Sequence, residues 1–216
     1  MEWKALATLV PLALVSACAQ SLPPMLPPTL TYDRADCSAT PDLTRAISLT
    51  PVKGSDEWEE RSDIWSIDSP IAGNCLRRGN VMGPYLVYAL PEYGSTQLIE
   101  TGSVLEGVRL FSPMMVMLDG DGAETRLIEP GSYMFRTNMY SAQIAPTQDE
   151  KYMLVSVNPD LIGERYEAIR SGIDTTTIYT GYGASNWNSG VETALSQGYS
   201  YEGTMRTRLF PVKDKK

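Results

Sequence analysis

Four residues near the C-terminus have the side chains that recognition of an uncharged ligand needs, namely Tyr179, Tyr182, Asn186 and Trp187. Aromatic faces can stack on sugar rings, and amide groups can hydrogen-bond to hydroxyls. Small residues such as Gly and Ala stand among them over residues 179–188. One hypothesis is therefore a ligand or partner surface built on these four residues. The other is an ordered loop whose aromatic residues cover the edge or the core of a sheet.

The run Asp-Gly-Asp-Gly at residues 119–122 is the second stretch that could do chemistry, because carboxylates at alternating positions suit calcium. A calcium-binding loop of this kind would continue with an oxygen ligand and later a Glu, where this chain has Ala123 and Pro130. Asp-Gly between two apolar runs is also the strongest short-range signal of a β-hairpin. We therefore predict a hairpin turn here and no metal site.

Enzymatic chemistry has little support in the sequence. The chain contains no histidine, so Ser-His-Asp and Cys-His arrangements and the commonest zinc ligand are excluded. The GYGAS run at residues 181–185 lacks the Lys of a phosphate-binding loop. A glycosidase needs only two carboxylates, but the 26 Asp and Glu residues would place some pair at any chosen distance. We predict a non-enzymatic protein without a cofactor and keep a carboxylate-based glycoside hydrolase as a third alternative.

The N-terminus predicts export and lipidation. Lys4 precedes an apolar run at residues 5–15, which is too short to span a bilayer. Small residues then stand directly before Cys18, as in the lipobox of bacterial lipoproteins. In that case residues 1–17 are removed and acyl chains on Cys18 anchor the protein to a membrane. By resemblance to enterobacterial lipoproteins, an Asp after the lipidated Cys would imply retention in the inner membrane. This chain has Ala19 there, so we expect an outer-membrane lipoprotein that faces the periplasm. The alternative is an ordinary signal peptide cut near Ala17 or Ala19.

The other two cysteines are Cys37 and Cys75, which stand 38 positions apart. An even pair in an oxidising compartment most simply forms a disulfide. The alternative is two unpaired buried thiols.

Patterning along the chain predicts a mainly β protein, an antiparallel β-sandwich with one or two short helices. Val108, Leu110, Met114, Val116 and Leu118 share one face of a strand whose other face is also apolar, so that strand should be covered on both sides. Further strands are expected at residues 46–52, 64–67, 83–90, 96–101, 151–157 and 204–212. Helices are expected at residues 160–170, capped by Asp160, and at 189–197, opened by a capping box and stopped by Gly198.

Four segments follow from these patterns. Residues 1–17 are the signal peptide, and the Pro-rich residues 18–44 form a tether. Residues 45–212 form the β-sandwich domain, and residues 213–216 are a basic tail. A net charge of −8 argues against nucleic acid and against anionic membrane surfaces as partners.

Five motifs occur together in the order of one known family: SLTPV at 48–52, GPYLVYALPEYG at 83–94, LFSPMMVMLD at 110–119, KYMLVSVNPDL at 151–161 and GTMRTRLFPV at 203–212. The chain thereby resembles the maltose-operon periplasmic protein family (MalM-like), over most of the mature chain. The resemblance implies an exported protein associated with carbohydrate uptake. It rests on structural rather than catalytic residues. This chain departs from the family in its Cys18 lipobox, its two further cysteines and its lack of a long C-terminal extension.

The function expected from the sequence is that of a non-enzymatic, lipid-anchored envelope accessory protein that resembles the MalM-like family and is linked to carbohydrate uptake. The alternative is a carbohydrate-binding module. The expected partners are the membrane, through the lipid anchor, and an envelope protein or a glycan.

Overall fold

The structure is a computed structural model that describes residues 26–49, 65–71, 73–94, 96–136, 138–180 and 183–211. Its strands are, in chain order, β1 (Ile47–Ser48), β2 (Trp65–Pro70), β3 (Cys75–Arg78), β4 (Val81–Ala89), β5 (Thr96–Val104), β6 (Arg109–Phe111), β7 (Pro113–Leu118), β8 (Glu124–Leu127), β9 (Tyr133–Arg136), β10 (Met139–Ile144), β11 (Tyr152–Val157), β12 (Arg165–Thr180), β13 (Gly183–Ser200) and β14 (Thr204–Pro211). Helical structure in these ranges is limited to 3-10 turns at Leu43–Arg45, Pro130–Ser132 and Pro159–Leu161. No helix in the described ranges has the length and apolar character to span a membrane.

Two sheets form the predicted antiparallel-dominated β-sandwich. Sheet I has the order β1-β4-β11-β7-β8, with β3 paired to β4, and sheet II has the order β2-β14-β5-β10-β9. The main core lies between them and takes Leu86, Tyr88, Met115, Met117, Met153 and Val155 from sheet I and Ile99, Ala142, Ile144, Met205 and Leu209 from sheet II. The prediction of a mainly β sandwich is therefore confirmed.

Strand β7 is covered on both faces, as its sequence predicts. Met115 and Met117 belong to the main core. Val116 and Leu118 belong to a second cluster of buried residues on the opposite face of sheet I. Met114 differs from the prediction, because it is only half-buried where that second cluster ends. The predicted strand is also divided, because Leu110 lies in β6, which pairs with β13, and Val108 precedes β6.

The second cluster is enclosed because sheet I curls. Strands β3 and β8 are separated by three strands, so a flat sheet would place them roughly 19 Å apart. Nevertheless Arg78 of β3 and Glu124 of β8 form an ion pair with an N–O distance of 2.5 Å. Sheet I therefore bends around the second cluster, and this ion pair connects β3 to β8 across the bend.

The N-terminal segment is attached to the domain. A disulfide joins Cys37 to Cys75, as predicted. Beside it, the Ser38 N–H donates to the Cys75 carbonyl at 3.0 Å, and the Arg77 N–H donates to the Ser38 carbonyl at 2.8 Å. Further upstream, the Thr29 carbonyl accepts from the Tyr201 N–H at 3.0 Å. The described part of the Pro-rich segment thus lies against the sandwich from Thr29 onward.

Strands β12 and β13 form a long two-stranded arm, which we define as residues 165–180 and 183–200. Its strands pair from Arg165–Gly198 to Thr180–Gly183, and β6 pairs with β13 only at Gly198–Ser200. Both predicted helices, at residues 160–170 and 189–197, are therefore wrong. The stretch 173–180 is rich in threonine and isoleucine, which favour strands, and the long pairing overrides the local capping signal.

Candidate functional site

The arm holds three of the four residues predicted to bind a ligand. Tyr179 pairs with Ala184, Asn186 pairs with Thr177, and Trp187 pairs with Thr176. Tyr182 lies outside the described residues. Because strand positions alternate between faces, Tyr179 and Asn186 share one face of the arm and Trp187 belongs to the other. The backbone therefore brings two of the predicted residues together and separates the third.

The turn between β7 and β8 explains the Asp-Gly-Asp-Gly run. The Asp119 carboxylate accepts from the Asp121 and Ala123 backbone N–H groups, both at 2.9 Å. Gly122 has φ +84°, a conformation that suits glycine. The predicted hairpin is confirmed, and the Asp119 carboxylate is occupied by the turn. In the described ranges, no group of three or more metal-ligating side chains could hold a metal ion.

A row of five aromatic rings lies at one open side of the sandwich. Tyr133 stacks on Tyr140 with ring centroids 5.5 Å apart, and Phe135 lies 5.0 Å from Tyr140. Phe135 in turn stacks on Tyr166 at 3.6 Å, and Tyr199 meets Tyr140 edge-on at 5.5 Å. The row begins beside the main core and ends at Tyr166, which is 36% exposed.

Strand pairing accounts for this aromatic row. Strands β9 and β10 form a hairpin in which Phe135 pairs with Tyr140 and Tyr133 pairs with Ala142. Directly paired residues, and residues two apart on one strand, share a face. Tyr166 and Tyr199 reach the row because they lie at the base of the arm, next to β6.

Three tyrosines of the row, of which Tyr133 and Tyr140 are half-buried and Tyr199 is buried, carry neutral hydroxyl groups. Burial raises the pKa of Tyr133, Tyr140 and Tyr199 above the ordinary value for tyrosine. The Tyr133 hydroxyl accepts a hydrogen bond from the Met115 N–H at 2.9 Å, which fixes its ring against sheet I. At neutral pH the row therefore offers aromatic faces and uncharged hydroxyls rather than a general base.

Two members of the row, Tyr133 and Tyr140, line a cavity of about 220 Å³ between the two sheets, which we call the aromatic cavity. Asn158 and Asp160 also line it. Asn158 is held in place, because its N–H donates to the Ser112 carbonyl at 2.8 Å and its Oδ1 accepts from the Asp160 N–H at 3.1 Å. Aromatic faces beside an amide and a carboxylate are the groups that recognise the ring faces and hydroxyls of a sugar.

Sequence reasoning missed the aromatic cavity. The alternation of Tyr133, Met134 and Phe135 could have predicted strand β9, and Tyr140 lies just beyond a short turn. No local signal joins these residues to Tyr166 or Tyr199, because that contact depends on the arm.

Comparison of the chain with protein-family models, with curated proteins and with solved structures gives no match.

Proposed function

We propose that this protein is a non-enzymatic accessory protein of the bacterial envelope, anchored to the outer membrane by acyl chains on Cys18 and facing the periplasm. In this proposal it serves carbohydrate uptake, as its resemblance to the MalM-like family implies. The observation that carries the proposal is the aromatic row, which offers a partner half-exposed rings next to Asn158 and Asp160. The Cys37–Cys75 disulfide supports an oxidising compartment.

A partner protein on the aromatic row can be tested by photocrosslinking in cells. A photoreactive phenylalanine analogue at Phe135 would lie in the row, whereas the same analogue at Met134 would lie on the opposite face of β9. The side chain of Met134 is 52% exposed, so it is a matched accessible control. We expect a discrete crosslinked envelope protein from position 135 only. Identical crosslinks from both positions, or none from either, would contradict the partner role of this surface.

The second candidate function is a carbohydrate-binding module, and the composition of the aromatic cavity favours it. Titration calorimetry with maltodextrins should then show weak binding, because a half-open site is incompletely preorganised. Loss of binding in Tyr140→Ala but not in Trp187→Ala would assign the sugar to the aromatic cavity. The reverse would assign it to the arm, where Tyr179, Tyr182, Asn186 and Trp187 were predicted to act. No glycan binding, together with a crosslinked protein, would favour the accessory role alone.

A further inference from the structure

A second and larger cavity opens where sheet I curls around the second cluster of buried residues. Its volume is about 390 Å³, which lies within the range of small-molecule pockets. We call it the apolar cavity, and half of its lining residues are apolar side chains, namely Leu76, Val81, Met114, Leu127, Val157 and Pro159. Apolar clefts of this size are places where proteins commonly bind small ligands.

Ser156 is the polar group in this wall that lacks a partner. It lies on β11 between Tyr85 and Met114 of the neighbouring strands, on the same face as Leu154. Its side chain is buried, and its hydroxyl oxygen makes no hydrogen bond with any described residue. Burying a hydroxyl without a partner costs free energy, so nearly all buried polar groups have one. The oxygen is itself buried, so a bound molecule would supply this partner once the Ser156 side chain rotates toward the cavity.

The charges around the apolar cavity select against an anion. Its single cation, Arg78, is paired with Glu124, and its Nη1 also lies 4.0 Å from the Met114 sulfur. The Asp160 carboxylate is a further negative group at the rim. The described lining therefore holds two carboxylates and one guanidinium, and that guanidinium is already neutralised.

We propose that the apolar cavity binds an uncharged small molecule that has an apolar body and one polar group, which exchanges a hydrogen bond with Ser156. The apolar wall takes the body of the molecule, and the unpartnered hydroxyl fixes its orientation. The apolar cavity adjoins the aromatic cavity, because Met114, Leu127, Asn158 and Asp160 line both. Its binding of an uncharged molecule does not depend on the glycan or protein role proposed for the aromatic cavity.

The binding test uses two fluorescent probes that share an anilinonaphthalene skeleton. N-phenyl-1-naphthylamine is uncharged and has one N–H group, and 8-anilinonaphthalene-1-sulfonate adds a sulfonate. The full chain would carry Cys18→Ala, because acyl chains would compete for an apolar probe. We expect saturable one-to-one binding of the uncharged probe, and affinity for the sulfonate weaker by about tenfold or more.

Matched substitutions locate the probe. Leu127→Trp places a large ring at the cavity wall from a residue that is 46% exposed, so the fold should tolerate it. Leu127 also lines the aromatic cavity, so Tyr140→Ala, which alters only the aromatic cavity, should leave the affinity for the probe unchanged. Met134→Trp adds the same ring at a residue that is 52% exposed on sheet II, away from the cavity. We expect Leu127→Trp to weaken binding of the uncharged probe about tenfold and Met134→Trp to leave it unchanged. Equal affinities of the two variants, or equal affinities for the two probes, would overturn the proposal.

Ser156→Ala provides a second variant that keeps the volume of the cavity. It removes an unsatisfied hydroxyl, so the melting temperature should be equal to or higher than that of the wild-type protein. Affinity for the uncharged probe should nevertheless fall about threefold or more, since one hydrogen bond is lost. A stable Ser156→Ala protein with undiminished affinity would overturn the hydrogen bond that the proposal assigns to Ser156.

Discussion

Glu150 offers a stringent test of the packing around the β7–β8 hairpin. Its side chain is 2% exposed and accepts two hydrogen bonds from Arg126 of β8, from Nε at 2.8 Å and from Nη2 at 2.9 Å. It also accepts the Thr147 N–H at 2.7 Å. A single carboxylate therefore joins edge strand β8 to the turn that leads into β11.

The expected cost of Glu150→Gln follows from these contacts. Glutamine has nearly the shape of glutamate, but its amide replaces one accepting oxygen with a donor that faces Arg126 or Thr147. Losing a hydrogen bond to a charged group costs about 1.5 to 3 kcal/mol. Arg126 is 41% exposed, so water can solvate the guanidinium after the substitution and limit the penalty. We therefore expect the free energy of unfolding to fall by about 2 kcal/mol at neutral pH.

The same carboxylate predicts a pH dependence. Burial alone would raise the pKa of Glu150, but the hydrogen bonds from Arg126 and Thr147 outweigh burial and hold this pKa below its ordinary value. A carboxyl whose pKa is lower in the folded state stabilises the protein fully above its unfolded pKa, which is about 4.3. That stabilisation is lost as the pH falls through the folded pKa. The difference between wild type and Glu150→Gln should therefore shrink as the pH falls below about 4.

Urea unfolding at pH 7 and near pH 3 measures both effects. Glu202→Gln is the matched control, because Glu202 pairs with Arg109 at 2.9 Å but its side chain is 53% exposed. The control should lose no more than about 0.5 kcal/mol, as expected for a surface ion pair. If both variants lose the same small amount, or if the Glu150→Gln difference is the same at both pH values, the argument from burial is refuted.

Three further predictions concern the anchor, the disulfide and the core. Cys18→Ser should block lipoprotein maturation and release the protein from membranes, and unchanged processing and membrane fractionation would contradict lipidation. Replacing Cys37 and Cys75 together by Ala should lower the free energy of unfolding by no more than roughly 4 kcal/mol, the chain-entropy value for a loop of 38 residues, as measured by urea unfolding. Val116→Asp should lower it by several kcal/mol or abolish folding, because Val116 is fully buried, and wild-type melting would contradict the described position of β7.

The sandwich could be predicted because its strands have recognisable local sequence patterns. The apolar residues on both faces of β7 indicate two layers of cover, and Asp-Gly at 119–120 places the turn that follows. Strand β11 ends where Asn158 and Pro159 follow it, close to the predicted limit. These features depend on neighbouring residues in the chain, so local patterns suffice to predict them.

The arm could not be predicted because its local signals favour another structure. Ser189 and Glu192 have the spacing of a helical capping box, yet both lie in β13 and pair with Asp174 and Ser171. At the other predicted helix, Asn158 rather than Asp160 supplies the cap, and it caps only a 3-10 turn. Gly163, with φ +84°, follows that turn before β12 begins. Pairing along the whole length of both strands outweighs these short-range preferences.

The aromatic cavity and the apolar cavity share a wall formed by Met114, Leu127, Asn158 and Asp160. The contribution of Met114 follows from the burial of β7 on both faces. A strand that is buried on both faces must belong to two cores, and sheet I therefore curls around the second one while the first lies between the sheets. Met114 stands near the start of β7, where the second cluster ends and the residue is only half-buried. The two-sided burial that made β7 recognisable in the sequence thus also places a cavity next to each core at that end of the strand.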